Sequence, residues 1–97
     1  MVNYFEQIKR ADSTGKVLFG TKESEKAILT GTAKYIFYSS DLEAMTKERV
    51  EYLVKLGKIK AKELPLGYTE LGEAVGKEYS VGILVVLDAG KAKFDIK

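Results

Sequence analysis

Lys22 and Lys26 stand four residues apart in the run Gly-Thr-Lys-Glu-Ser-Glu-Lys that begins at Gly20. The run follows an apolar stretch, Val17-Leu18-Phe19, and reads as a strand that ends in glycine and opens straight into a helix. Such a junction leaves unpaired backbone N–H groups at the positive end of the helix dipole, a natural seat for phosphate. Gly20 has no Cβ to hold a ligand away, and Lys22 and Lys26 share one helical face. Glu23 is the wrong charge for phosphate. A carboxylate does accept hydrogen bonds from the amino groups of guanine and cytosine, so an acid among these lysines points to base edges. The same residues also suit a helix that water merely solvates.

A second run, Glu70–Gly82, reads as a short helix that stops at Gly76, a loop, and a strand. Lys77 is placed to add a third cation. Tyr79, flanked by Lys77 and Ser80, suits stacking on an unpaired base. Val81, taken alone, reads as a core residue of the strand.

Catalytic chemistry has few candidates. The chain has no His and no Cys, so the commonest general base, the thiol nucleophile and the usual transition-metal ligands are missing. The pairs Glu23/Glu25 and Glu48/Glu51 fall on exposed helical faces among lysines, where solvation explains them better than acid–base work. Gly20-Thr21-Lys22 lacks the spacing of a phosphate-binding P-loop. Gly72 and Gly76 end a helix rather than begin one, which excludes a dinucleotide fingerprint. No enzyme, cofactor or metal site is expected.

The elements that must position these residues follow from periodicity. Tyr4, Phe5, Ile8 and Ala11 predict an amphipathic helix, broken at Thr14-Gly15. Thr21 is expected to cap the next helix with its hydroxyl, and Gly31 to end it. Tyr35–Tyr38 reads as an interior strand. A longer helix follows, with Met45, Val50, Leu53, Val54 and Leu56 inward, Lys47, Glu48, Glu51 and Lys55 outward, and Gly57 at its end. Ile59–Leu64 alternates as a half-exposed strand terminated by Pro65 and Gly67. Leu71, Ala74 and Val75 form the apolar face of the short helix. Val81–Leu87 is the strongest strand, and Ala92, Phe94 and Ile96 suggest a brief edge strand after the Ala89-Gly90 turn. Strands separated by helices imply an α/β fold with helices on both faces of the sheet.

Bulk properties set the class. The expectation for 97 residues with 45% hydrophobic content is one globular domain spanning 1–97. A net charge of +2 does not announce a nucleic-acid binder, so any basic surface must be local. The polar start of the chain is unlike a signal peptide, and the longest apolar run, Ile83–Leu87, is too short to span a membrane. A cytoplasmic protein without membrane partners is expected. Lys and Glu dominate the charges, and Asn3 and Gln7 are the only side-chain amides, a bias reported for thermophile proteins.

Thr14-Gly15-Lys16-Val17, Gly20–Lys26, Gly31-Thr32-Ala33-Lys34, Glu51-Tyr52, Glu70-Leu71-Gly72, Gly76-Lys77, Val81-Gly82 and Asp88-Ala89-Gly90 follow one another in this order. In this the chain resembles the L30e family of archaeal and eukaryotic ribosomal proteins, over nearly its whole length. That family is similar to the wider L7Ae group. The resemblance implies a three-layer α/β/α sandwich with a central, mostly four-stranded mixed sheet. It also implies a kink-turn or related internal-loop RNA as ligand, a place in the large ribosomal subunit beside ribosomal RNA and other ribosomal proteins, and a monomer when free. Carried over by position, the RNA surface falls on Gly20, Lys22 and Lys26, on Tyr79, Val81 and Gly82, and on a third contact at Ser40 and Asp41; Thr21, Glu23 and Lys77, read from the residues themselves, complete the candidate set.

Two departures from that pattern concern the middle segment. Many relatives carry Asn where this chain has Asp41, and Pro where it has Glu43. Both changes make the region more acidic. The alternatives are a stand-alone kink-turn-binding paralogue, or a non-catalytic interaction domain that kept the sandwich and lost RNA.

Overall fold

A computed structural model of the chain describes residues 4–92. The elements are α1 (Tyr4–Thr14), β1 (Lys16–Phe19), α2 (Thr21–Leu29), β2 (Tyr35–Ser39), α3 (Ala44–Gly57), β3 (Lys60–Leu64), α4 (Tyr68–Ala74) and β4 (Ile83–Asp88). The strands form one sheet in the order β1-β4-β2-β3. Only β2 and β3 run parallel; β4 lies antiparallel to both β1 and β2. The fold is thus α/β, with four helices around a four-stranded mixed sheet. The edge strand expected from Ala92, Phe94 and Ile96 lies mostly outside the described residues; Ala92 itself is buried.

Alternation along the strands builds two cores, because successive side chains point to opposite faces. Phe37, Leu84 and Val86 pack with Ile8 and Ala11 of α1, Leu71 of α4 and Val75 just after it. Ile36, Ile83 and Val85 pack with Ala27, Ile28, Val50 and Leu53 from α2 and α3. The central strands β2 and β4 are buried on both faces, which is why they read as continuous apolar runs. β3 is an edge strand with charged, exposed positions, as its alternation predicts.

Three sequence expectations need correction. Met45 and Leu56 of α3 are 76% and 64% exposed, not inward. Val50 and Leu53 fix the buried face, and at about 100° per residue Met45 lies roughly 140° away from Val50. Lys47, placed outward by the sequence, is half-buried: its ammonium meets Glu63 Oε1 at 2.7 Å and the Ser40 carbonyl at 3.2 Å. Gly57 ends α3 as the sequence predicts, and Lys58, at φ 54°, follows it as the left-handed cap. β4 begins at Ile83, so Val81 and Gly82 belong to the loop before it.

The strand directions bring the sites together. Phe19 pairs with Leu84 and Tyr38 with Ile83, so β1 and β2 end where β4 begins. β3 runs parallel to β2 and ends there too, with Ser39 opposite Leu64. All loops carrying the sequence-derived candidates leave the sheet at this one end, at the carboxyl ends of three strands.

Candidate nucleic-acid interface

Gly20 joins β1 to α2. Its N–H donates to the Ile83 carbonyl at 3.0 Å, and its own carbonyl accepts the first helical bond, from Ser24 N–H at 3.1 Å. The backbone there has φ 114° and ψ 156°, a conformation that glycine tolerates and other residues rarely adopt. Gly20 is therefore the N-cap, and Thr21 is the first helical residue. No side chain caps α2, contrary to the role expected of the Thr21 hydroxyl, because the cap position demanded a backbone that only glycine supplies. The space around Gly20 is open: a Cβ built there would have no neighbour within 4 Å. The N–H groups of the first turn thus face an unobstructed approach.

Lys22 and Glu23 are exposed in this first turn. Lys26 lies one turn further on, where with Leu18, Glu23, Thr30 and Leu87 it borders a shallow open depression. Glu25, one residue earlier, turns towards α3 and receives Arg49 Nε at 2.9 Å. Glu23 also sits well as a first-turn acid for the helix dipole, which gives it a structural role beside any contact with bases.

The Tyr79 loop is held at both ends. α4 closes with Gly76 at φ 80°, Gly76 N–H donating to Glu73 O at 3.0 Å and Lys77 N–H to Gly72 O at 2.9 Å, the paired bonds of a Schellman cap. At the other end Val81 N–H donates to Tyr68 O at 3.0 Å. Val81 is 2% exposed, so its side chain belongs to the core. Tyr79 between these anchors is 57% exposed.

Lys77 does not project as a free cation. Its ammonium donates to Asp12 Oδ2 at 2.8 Å and lies 4.8 Å from the centre of the Phe19 ring. The hydrogen bond to Asp12 raises the Lys77 pKa above its ordinary value, against the opposing pull of burial. Phe19 in turn meets the Tyr79 ring edge to face, at 6.5 Å and 82°. Phe19, the residue before Gly20, therefore joins the helix start to the Tyr79 loop. Sequence reasoning treated it only as strand core. Its place as the last strand residue, beside a glycine, was the available signal for a rim position.

The middle segment is tied to α4. Asp41 Oδ1 accepts the N–H of Tyr68, the first residue of α4, at 2.9 Å. The carboxylate thus caps a helix that its own N-cap, Gly67, leaves without a side-chain partner. Ser40 contributes its N–H and hydroxyl to the Leu66 carbonyl, at 2.9 and 3.1 Å. Gly82 accepts Ser39 N–H at 2.8 Å, and a Cβ on it would press on Leu42. These bonds lock the three loops into one surface.

Exposed charge on this surface is mixed. Lys22 and Lys26 stand against Glu23, Asp41, Glu43, Glu70 and Glu78, all exposed. No cluster of metal-binding side chains occurs among the described residues, and no helix among them is long and apolar enough to cross a membrane.

Comparison with known proteins agrees with the geometry. Residues 3–95 match the model of the ribosomal protein L7Ae/L30e/S12e/Gadd45 family. The chain is 36% identical over 93 residues to large ribosomal subunit protein eL30 of Pyrobaculum islandicum, covering 96% of this chain and 92% of that one. It is 35% identical to eL30 of Eremothecium gossypii over 88 residues, covering 91% and 84% of the two chains. A Bacillus halodurans protein of unknown function has the same fold, with a TM-score of 0.80 at 24% identity over 92% of this chain and 88% of that one. The chain belongs to the L7Ae/L30e/S12e/Gadd45 family of ribosomal proteins.

Proposed function

We propose that this protein is a structural component of the large ribosomal subunit that recognises and stabilises a kink-turn or related internal-loop RNA. One observation carries the reading: the uncapped start of α2 and the exposed Tyr79 ring share one rim, joined through Phe19. Phosphate brought close by a sharp bend meets the N–H groups after Gly20, with Lys22 and Lys26 beside them. A base extruded by the bend meets the face of Tyr79. Glu23 and Lys22 face the edges of the non-Watson–Crick pairs. The RNA is stabilised in its bent form because only that form offers phosphates and an unstacked base together.

The eL30 relatives, named for the large subunit, support ribosomal RNA and ribosomal proteins as partners and a cytoplasmic, non-catalytic role. The lack of His and Cys supports the same conclusion. A second reading, a paralogue or interaction domain without RNA, draws on the carboxylates that outnumber lysines on this rim.

Titration of the protein into a labelled kink-turn RNA and a straight duplex of equal length, at two salt concentrations, separates the readings. Preference for the kinked RNA that is lost in Tyr79→Ala supports the proposal. Equal weak binding to both, vanishing at higher salt, refutes it in favour of the second reading.

A further inference from the structure

We infer that Lys77 is a positioning residue, and that Asp12, Lys77 and Phe19 form a clamp that sets the pose of Tyr79 for stacking on RNA. The inference rests on the RNA-binding reading above but concerns residues that reading leaves unexplained. Lys77 was the natural third cation for phosphate, and its geometry serves another end.

Both the backbone and the side chain of Lys77 are committed. Its N–H closes the α4 cap on Gly72, and its ammonium spends its charge on Asp12 of α1 at 2.8 Å. Both side chains are about three-quarters covered, at 26% and 31% exposure. Neutralised in this way, Lys77 exerts little attraction on a phosphate several ångströms away. What it does touch is the Phe19 ring, at 4.8 Å. That contact holds the Phe19 ring in its near-perpendicular arrangement with Tyr79.

The Tyr79 backbone is already fixed from the other side. Gly72 packs so closely under the Tyr79 carbonyl that a Cβ there would collide with it. The remaining freedom is the rotation of the Tyr79 ring, and Phe19 limits it. The chain of contact runs Asp12, Lys77, Phe19, Tyr79, and it begins at a carboxylate on a helix with no other part in the site.

The inference makes an expectation opposite to simple electrostatics. Asp12→Asn removes a negative charge, so a field acting on RNA would tighten binding. The clamp requires the reverse: binding to kink-turn RNA weakened about 3- to 10-fold, part of the stacking contribution. The salt dependence of binding should stay unchanged in Lys77→Met. A phosphate contact by Lys77 would instead lower the slope by about 0.7–0.9 in Lys77→Met. Lys77→Arg keeps both the ion pair and the ring contact and should restore wild-type affinity.

Proton NMR of the free protein supplies a readout independent of RNA. The Lys77 ε-methylene should be shifted upfield by the Phe19 ring, and Phe19–Tyr79 cross-relaxation should be present. Both should fall in Asp12→Asn, with the remaining spectrum showing a folded protein. Unchanged or tighter binding by Asp12→Asn overturns the inference, as does a reduced slope in Lys77→Met. If the wild-type protein shows no preference for kinked RNA, the functional reading fails instead. The clamp is then judged by NMR alone, and Phe19–Tyr79 contacts that persist in Asp12→Asn overturn it.

Discussion

Replacing Lys22 with Gln should change how RNA binding responds to salt more than it changes affinity itself. The count of cations at the rim sets the magnitude. Lys77 is neutralised by Asp12, and Lys47 is paired with Glu63, which leaves Lys22 and Lys26 as the cations on the first two turns of α2, while Lys9 lies apart from them against Gly76. Two phosphates neutralised give a slope of log K against log salt of about −1.4 to −1.8. Raising salt from about 50 to about 200 mM should therefore weaken wild-type binding only about 7- to 12-fold. Lys22→Gln should halve the slope to about −0.7 to −0.9, so the same change costs about 3-fold. Tyr79→Ala should behave oppositely, losing about 1–3 kcal/mol, or roughly 5- to 150-fold, at every salt concentration with the slope intact. Fluorescence anisotropy with a labelled kink-turn RNA across a salt series measures both quantities. A wild-type slope steeper than about −4 would refute the reasoning, because it would require cations that this rim does not offer.

Three further outcomes follow from local geometry. Lys58 sits at φ 54° and ψ 40° with the α3 cap bonds otherwise formed, so Lys58→Gly should stabilise the fold by about 0.5–1 kcal/mol, seen as a Tm rise of about 2–8 °C. Asp41→Ala removes the only side-chain cap of α4 among the described residues and should cost about 0.5–2 kcal/mol in chemical denaturation, whereas Asp41→Asn, which keeps an acceptor, should retain most of it. Burial and the neighbouring Glu51 raise the Tyr38 pKa, and Asp12 raises that of Lys77. A raised folded-state pKa gives stability that is complete below the ordinary values of 10.0 and 10.5 and is lost as pH climbs through the folded values. Thermal melts should accordingly fall above about pH 10, and less steeply in a Tyr38→Phe, Lys77→Met double variant; melts that stay flat to pH 11 in wild type would contradict this.

Element types were legible because local pattern and tertiary environment agreed. β2 and β4 are continuous apolar runs because helices cover both their faces, and β3 alternates because it is an edge. What the sequence hid were choices between neighbours. Whether Gly20 or Thr21 caps α2 depends on a backbone angle, not on composition. Met45 and Leu56 are apolar in the right helix, and only the packed positions of Val50 and Leu53 show that they lie on the wrong side. The candidate site was legible as a set of segments, since the glycines and the loop aromatic mark the ends of elements. The pairing inside it was not. Asp12 and Lys77 lie 65 positions apart, and Asp41 and Tyr68 lie 27 apart, so no local pattern announces either bond.

Those two long-range bonds change what the acidity of the rim means. Asp41 looked like an obstacle to RNA, yet it and Asp12 are each engaged by a protein donor, one by a helix N–H and the other by an ammonium. A carboxylate so engaged is stabilised where it stands and repels phosphate less than a free one. The cation it neutralises is equally withdrawn from the field. If RNA binds at this rim, recognition must rest on contacts that act over one or two atoms: N–H groups beyond Gly20, a posed aromatic ring, and bonds to base edges. Such contacts vanish when the partner has the wrong shape, whereas a basic field attracts any polyanion. A rim without net positive charge would therefore bind weakly to duplex RNA in general and still discriminate sharply for a bend that presents phosphate and free base together. For the proposed RNA binding, the low net charge, which first argued against a nucleic-acid binder, would be a condition of selectivity.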